Sequence, residues 1–257
     1  MALGGEAEAL CAVVDRAFGL ERTAEERAAA PLAGGIARNG YQCGMVWGSA
    51  LAAGAEAHRR FGAGARAEAV AIEASRRVVE SFRAQNGAVD CFDLTGTDFH
   101  SKTQTWRFLL TGKAVGCFRM AARYAPVAKA EIDAALSLGA LDMPEPPVSC
   151  ASLAARGLGA SAEHATMAAG FAGGIGLCGG ACGALGAAVW IGSVGAGGNY
   201  EALDARASPT IARFLEATDG RFECAEIVGR KFESVADHAA FLRDGGCTRL
   251  VEALASR

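Results

Sequence analysis

Apolar residues recur along the chain at spacings of three and four, which is the period of an amphipathic α-helix. Three stretches show this pattern most clearly: Leu10, Val13, Val14 and Ala17; Ile72, Ser75, Val79 and Phe82; and Ile211, Phe214 and Leu215. No long run of alternating β-branched residues is present, and no turn signal joins two such runs. The pattern predicts an all-α fold.

Polar residues, proline and glycine predict where some of these helices begin and end. The segment Thr23 to Glu26 matches a capping box, in which the Thr23 hydroxyl accepts from the N–H of Glu26 and the Glu26 carboxylate reaches back. Ser161 is the predicted start of the equivalent helix later in the chain, and Ser208-Pro209 predicts another start. Gly87 and Gly220 are predicted helix ends.

An internal repeat organises the sequence. With a shift of 139 residues, Ala33-Gly34-Gly35-Ile36 falls on Ala172-Gly173-Gly174-Ile175. Two small deletions then place Cys91–Gly96 on Cys224–Gly229 and Gly116–Arg119 on Gly246–Arg249. Eight of the nine cysteines thereby form two matched sets of four: Cys11, Cys43, Cys91 and Cys117, and Cys150, Cys182, Cys224 and Cys247. Shared neighbours around each cysteine favour duplication over a chance match between two alanine-rich segments.

The repeat predicts two modules, 1–138 and 148–257, joined by a linker over 139–147 that contains Pro144-Glu145-Pro146-Pro147. We expect each module to be a bundle of four to five helices. Because the copies are related, we also expect a pseudo-two-fold arrangement.

Composition narrows the possible classes of protein. The chain has 257 residues, is 51% hydrophobic and carries a formal net charge of −3, so it is neither disordered nor a typical nucleic-acid binder. The N-terminus has no basic and apolar signal pattern, which predicts a cytoplasmic protein with reduced thiols. Residues 165–200 carry no charge, but they include twelve glycines, and their counterpart in the first module is charged. We therefore expect no membrane span.

The matched cysteines are the candidate chemistry. Cys43 and Cys182 each follow a glycine-rich turn and precede an apolar helix, whose positive end favours a thiolate, so both are candidate nucleophiles. Four thiolates per module equally suit an iron–sulfur cluster or zinc, although no C-x-x-C clip is present. Glycines beside the second cysteine of each set would let a cofactor approach closely: Gly40, Gly44, Gly179 and Gly183. Cys178, four residues before Cys182, is a possible extra ligand or redox partner.

Other motifs are weaker. Gly174 to Gly179 matches G-x-G-x-x-G but lacks the preceding strand that a dinucleotide site needs. His100 lies near Cys91 in sequence, which would suit a ligand or proton donor, but it has no counterpart in the second module. We expect His100, and likewise the three other histidines, to lie at the surface: His58, His164 and His238.

The order of the cysteines resembles the C-GCAxxG-C-C family of redox-active proteins. The central motif reads Cys43-Gly44-Met45-Val46-Trp47-Gly48 in one module and Cys182-Gly183-Ala184-Leu185-Gly186-Ala187 in the other, with departures at Met45 and Ala187. The resemblance implies redox chemistry and a redox partner protein. The first expectation is electron transfer by an iron–sulfur cluster held by the matched cysteines. The alternatives are thiol–disulfide exchange through Cys43 and Cys182, and a non-catalytic scaffold with zinc or no metal.

Overall fold

A computed structural model of the chain describes residues 5–138, 144–196 and 200–256. The predicted all-α class is confirmed, because no β-strand occurs within these ranges. None of the helices described there combines the length and the apolar content that crossing a membrane requires. The first five residues of the predicted linker, 139–143, lie outside the described residues.

Each module contains seven α-helices within the described residues. In the first module they are α1 (Gly5–Ala17), α2 (Thr23–Ala28), α3 (Gly44–Phe61), α4 (Ala65–Asn86), α5 (Cys91–Thr95), α6 (Lys102–Leu110) and α7 (Lys113–Leu136). In the second they are α8 (Cys150–Gly157), α9 (Ala162–Ala168), α10 (Gly183–Ile191), α11 (Tyr200–Ala217), α12 (Cys224–Val228), α13 (Val235–Arg243) and α14 (Thr248–Ala255). Helices of one or two turns, such as α5 and α12, are too short to produce an apolar period in the sequence.

The two modules repeat the same backbone hydrogen bonds around their second and third cysteines. The matched bonds run from Cys43 N–H to Val89 O (2.9 Å) and Cys182 N–H to Phe222 O (3.0 Å), and from Cys91 N–H to Tyr41 O and Cys224 N–H to Gly180 O (both 2.7 Å). In both modules these bonds hold the start of the cysteine helix against the start of a five-residue helix. Duplication therefore extends from the sequence to the backbone.

Several predicted helix boundaries are confirmed. The Ser161 side chain caps α9 by accepting from the N–H of His164. Gly87 ends α4 in the left-handed conformation, with φ of 81°. The predicted face of α4 is fully buried, including Phe82 and Ser75.

Two predicted helix starts are wrong. The N-cap of α2 is Arg22 rather than Thr23, and the Glu26 carboxylate accepts from the N–H of Arg22 at 3.2 Å, so only the backward half of the capping box forms. Pro209 lies inside α11 instead of at its start. The helix already extends N-terminal to Ser208, whose hydroxyl donates to the carbonyl of Asp204.

The glycine pair of each module opens an unusual turn. Five consecutive residues have positive φ in both copies, from Gly34 to Arg38 and from Gly173 to Leu177. Glycine adopts this conformation without strain, whereas each residue with a Cβ costs roughly 1–2 kcal/mol there. Such strain persists only where the surrounding structure fixes it. In both modules the turn leads into the segment that carries the second cysteine.

The modules share one hydrophobic core. Trp47 packs edge-on against Phe171, with ring centroids 4.7 Å apart, and Tyr41 stacks on Phe222 at 4.1 Å. Gly54 allows α3 to touch α9, because a Cβ there would lie 2.4 Å from the carbonyl oxygen of Met167. The uncharged segment that contains Met167 thus supplies close-packed backbone to the interface between modules. The boundaries 1–138 and 148–257 stay a prediction.

Candidate thiol site

All four matched cysteines of the second module lie at helix N-termini. Cys150 and Cys224 are the first residues of α8 and α12, while Cys182 and Cys247 are the N-cap residues of α10 and α14. Cys150, Cys182 and Cys224 are buried and Cys247 is half-buried. Charges on Cys150, Cys182 and Cys247 raise the pKa of Cys224, and charges on Cys150 and Cys182 raise the pKa of Cys247, so the fold brings this set together.

Cys150 is paired with His238. The Nδ1 atom of His238 lies 2.9 Å from the carbonyl oxygen of Val148, and because a carbonyl only accepts, Nδ1 carries the hydrogen. The buried Nε2 atom has no hydrogen-bond partner among the described residues. Cys150 is its neighbour, because a charge on either side chain shifts the pKa of the other. Nε2 is therefore the ring atom available to the sulfur, as in a cysteine nucleophile with an oriented base.

The pKa of Cys150 is lowered despite its burial. Burial would raise it, but the charge of His238, together with the backbone N–H groups of Gly173 and Ala151, lowers it below the usual thiol value. Gly173 is the first residue of the left-handed turn, so that turn supplies one of these donors. The pKa of His238 is raised, because the Cys150 charge and the hydrogen bond to Val148 outweigh burial. Both shifts favour a thiolate–imidazolium pair.

The other eight cysteines have raised pKa values, and burial is the largest cause for each of them: Cys11, Cys43, Cys91, Cys117, Cys178, Cys182, Cys224 and Cys247. Cys43 and Cys182 lie at helix N-termini as predicted. Burial nevertheless outweighs the favourable helix end and raises the pKa of Cys182 to about 12. The electrostatics of both residues thus run against the nucleophilic role expected from the sequence.

The surface position predicted for His238 is wrong. The residue is 1% exposed and packs edge-on against Phe232, with ring centroids 4.7 Å apart. It shares the buried face of α13 with Ala239 and Leu242. In the sequence, the spacing of three and four residues between these side chains indicates that His238 lies on a buried helix face. Comparison of the two repeats hid this indication, because the shift that aligns Phe99 with Phe232 places Thr105 opposite His238.

In the first module a carboxylate takes the fourth place. Charges on Cys91 and Cys117 raise the pKa of Cys43, a charge on Cys117 raises the pKa of Cys91, and Glu6 raises the pKa of all three thiols. Burial raises the pKa of Glu6 to about 7, with a hydrogen bond to Cys117 as the opposing influence. Cys11 is not part of this set. Its thiol donates to Asp15 at 3.8 Å, inside a pocket that also contains Glu26.

A shift in helix register explains the separation of Cys11. The C-terminal turns of α1 and α8 match with a shift of 140 residues, whereas the following segments match with 139. The shift of 140 is seen in two equivalent backbone bonds, Leu20 N–H to Asp15 O and Ala160 N–H to Ala155 O. The shift of 139 is seen in another equivalent pair, Ala33 N–H to Ala30 O and Ala172 N–H to Ala169 O. Leu10 is therefore the structural counterpart of Cys150. Cys11 lies one residue further, which rotates it by about 100° around the helix.

The structure places the glycine candidates in packing contacts. A Cβ on Gly183 would lie 1.8 Å from the carbonyl oxygen of Phe171, and one on Gly44 would lie 2.9 Å from the Cα of Ala33. Gly40 similarly faces Phe92, at 3.2 Å from its Cβ. Close contact between parts of the chain itself accounts for these small residues.

Gly179 and Cys178 belong to a different place in the fold. A Cβ on Gly179 would contact Lys231 at 2.9 Å. Cys178 and Gly179 line a polar cavity of about 330 Å³ between the modules, together with Arg83 and Glu223. The Cys178 thiol donates to the carbonyl of Gly176 at 3.6 Å. No described contact joins Cys178 to Cys182.

The remaining histidines lie away from the cysteine sets. His100 is exposed, as predicted, and its Nε2 atom lies 3.4 Å from Oδ1 of Asn39. His58 and His164 are partly buried, and His164 lies 3.0 Å from the carboxylate of Glu25. None of these three contacts a cysteine in the described residues.

The described residues do not fit the expected metal. Nowhere in the described ranges do three or more His, Cys, Asp or Glu side chains come together in a group that could hold an ion. Zinc requires sulfur ligands at about 2.3 Å, and an iron–sulfur cluster requires four converging thiolates. Two features of the cysteine sets do not favour four converging thiolates. Cys11 points away from its set, and Cys150 is already paired with His238.

Comparison with known proteins identifies the family. A family model described as "Putative redox-active protein (C_GCAxxG_C_C)" matches residues 7–130 and again residues 148–257. No curated protein and no solved structure matches the chain. The two matches together cover most of the sequence and coincide with the two copies seen in the backbone. The chain therefore belongs to the C_GCAxxG_C_C family of redox-active proteins, as a tandem duplication of its module.

Proposed function

We propose that the second module performs thiol–disulfide exchange, with Cys150 as the attacking thiolate and His238 as its base. The observation that carries this proposal is the buried imidazole of His238 beside Cys150, whose Nδ1–H is held by the Val148 carbonyl while its Nε2 atom is left without a hydrogen-bond partner. The arrangement contains the parts that activate a cysteine nucleophile: a base within reach and a third group that fixes the base. The two N–H groups of Gly173 and Ala151 add stabilisation of the sulfur anion.

The exchange has two steps. The Cys150 thiolate attacks one sulfur of a partner's disulfide, that S–S bond breaks, and the other sulfur leaves as a thiolate that takes a proton. A mixed disulfide now joins Cys150 to the partner. A second thiol of the set, deprotonated by the His238 imidazole, attacks the Cys150 sulfur and releases the partner's remaining sulfur as a thiol.

Two electrons pass from two protein thiols to the partner, whose disulfide becomes two thiols. A reduced dithiol donor then resets the protein disulfide by the same exchange. We assign the second thiol to Cys247, because it is half-buried whereas Cys182 and Cys224 are buried. The partner is a redox protein that carries a disulfide. Such a cycle suits the reducing cytoplasm expected from the sequence.

The first module is proposed to lack this activity. Leu10 and Thr105 stand where the second module has Cys150 and His238, so its three clustered thiols have no imidazole partner. Glu6 places a carboxyl group there, and a carboxylate disfavours a neighbouring thiolate.

Reaction of the reduced protein with oxidised glutathione tests the proposal. We expect one equivalent of glutathione disulfide to be converted to two thiols, with a Cys150–Cys247 disulfide recovered by peptide mapping. Cys150→Ser should abolish this reaction, and the matched control Cys11→Ser should retain it. Unchanged turnover in Cys150→Ser would overturn the proposal. So would stoichiometric iron and sulfide, or zinc, in protein purified without oxygen, since the set would then hold a metal.

A further inference from the structure

Basic charge is concentrated in one segment of this acidic protein. Residues 99–130 contain six Lys and Arg and no Asp or Glu, so the rest of the chain carries 19 basic residues (25 − 6) against 28 acidic ones. This segment comprises α6 and most of α7. The corresponding segment of the second module, 232–257, contains four acidic and three basic residues. The basic character therefore belongs to one copy only.

Large apolar side chains are exposed on the same segment. Trp106 and Leu110 on α6 are 64% and 81% exposed, and Val115 and Phe118 on α7 are 51% and 48% exposed. Within the described residues, every other exposed large apolar side chain also precedes residue 139: Val13, Phe92 and Leu138. The large apolar side chains that the structure describes for the second module are buried or partly buried, and none of them is exposed. We refer to Trp106, Leu110, Val115 and Phe118 as the apolar tip.

The cations around the apolar tip are available to a ligand. Lys102, Arg107 and Arg119 are exposed, and no ion pair in the described part of the chain includes them. Lys113 donates only to the carbonyl of Thr95. Their charge is therefore not neutralised by carboxylates.

A groove continues the apolar tip along α7. Its lining includes Val13 of α1 and Phe118, Ala122 and Pro126 of α7, with Lys129 at one end, and its volume is about 660 Å³. The groove is apolar except for that lysine. Phe118 belongs to both the tip and the groove, so the two form a continuous apolar surface.

We propose that the α6–α7 hairpin docks on the surface of an anionic phospholipid bilayer. The apolar tip would enter the boundary between headgroups and acyl chains, and the surrounding cations would contact lipid phosphates. Leu110, the most exposed of the four, ends α6 just before the tight turn at Gly112. A projecting tip of this kind fits a fluid bilayer, which needs no matching pocket. Tryptophan at the edge of such a surface suits the headgroup level.

Tryptophan fluorescence and vesicle flotation test this proposal. Trp47 and Trp190 are fully buried, so Trp106 alone among the three tryptophans can sense lipid. The full-length protein is mixed with vesicles of phosphatidylglycerol and phosphatidylcholine in equal parts, and separately with vesicles of phosphatidylcholine alone. We expect flotation and a blue shift of the emission only with the anionic vesicles, and loss of both at high salt.

Three variants locate the surface. Leu110→Glu should abolish binding, and Arg107→Ala should weaken it roughly fivefold, since one cation near an anionic surface contributes about 1 kcal/mol. Arg249→Ala removes an exposed arginine from the second module and should leave binding unchanged.

Absence of wild-type binding to anionic vesicles would overturn the proposal. Equal binding of the wild type to neutral vesicles, or equal binding of the Leu110→Glu variant to anionic vesicles, would also overturn it. Self-association that is lost in Leu110→Glu, without vesicle binding, would instead assign the surface to a second copy. None of these outcomes tests the proposed thiol exchange by Cys150, so the two proposals can fail separately.

Discussion

His238 lies beside Cys150 although the two are 88 residues apart in the sequence, and its Nδ1–H is held by the carbonyl of Val148. This pairing distinguishes one thiol from eight others. It combines a base, an orienting carbonyl and backbone donors at a single buried sulfur. The other cysteines share helix ends or burial with Cys150 but lack the imidazole.

Replacing the base should slow thiol exchange. In His238→Gln the side chain can still donate to Val148, but it cannot accept a proton at neutral pH. We expect the rate of reaction with a disulfide to fall roughly a hundredfold, in the range attributed to a positioned base. Stopped-flow measurement of released thiol checks this. The exposed histidine variant His100→Gln is the control and should react like the wild type.

Removal of the second thiol should trap the intermediate. In Cys247→Ser the first attack by Cys150 still occurs, but the mixed disulfide with glutathione cannot be resolved by position 247. Mass spectrometry should find one glutathione on Cys150. Cys178→Ser, which changes a cysteine in the cavity between the modules, should form the internal disulfide normally. Efficient resolution in Cys247→Ser would assign the second role to Cys182 or Cys224 instead.

Glu6 should make the protein less stable as the pH rises. Its folded pKa of about 7 exceeds the ordinary glutamate value of 4.5, so between these values the folded state holds more protons than the unfolded state. Stability therefore falls as the pH rises through that window. Glu6→Gln should increase the free energy of unfolding by about 3 kcal/mol at pH 8, and by little at pH 4.

Urea denaturation at the two pH values measures this difference. The exposed carboxylate variant Glu216→Gln provides the control for loss of one negative charge. An equal gain for Glu6→Gln at both pH values would show that Glu6 does not titrate in that window. The gain would then reflect packing of the new side chain.

The close approach between the modules should depend on Gly54. Its replacement by alanine would put a Cβ 2.4 Å from the backbone oxygen of Met167, so α3 and α9 must separate. We expect a loss of about 1–3 kcal/mol, as for overpacking in a core. Gly116→Ala is the matched control, because that helical glycine has nothing within 4 Å and its replacement should stabilise the protein by about 1 kcal/mol. Urea denaturation compares the two variants, and equal stability would contradict a tight interface.

The sequence predicted the helical class and the duplication because both leave periodic signals. The buried face of α4 follows directly from residue type and spacing. Short helices such as α2 leave no such signal, and its cap at Arg22 depends on the carboxylate of Glu26 rather than on a hydroxyl. Proline is favoured at a helix start, which is why Ser208-Pro209 was expected to begin a helix, but α11 already begins at Tyr200.

The site was predicted only in part, for a physical reason. Alignment of cysteines assumes that equal spacing means equal direction, but one inserted residue before α2 rotates Cys11 away from its set. From the sequence, a thiol is expected to be a nucleophile when it lies at the start of a helix, and this criterion selected Cys43 and Cys182. Burial decides their pKa, and burial depends on packing between segments distant in sequence. His238 was missed because the first module has Thr105 in its place.

Alkylation of individual cysteines as a function of pH tests the central claim most directly. The native, reduced protein is treated with iodoacetamide, and the modified peptides are quantified by mass spectrometry. Cys182 is the internal reference, since it is 5% exposed and Cys150 is 4% exposed, so that access is matched. We expect Cys150 to react with a midpoint below the usual thiol pKa and Cys182 only at much higher pH, with His238→Gln shifting Cys150 towards Cys182. Identical pH profiles for the two cysteines in the wild-type protein would contradict the account.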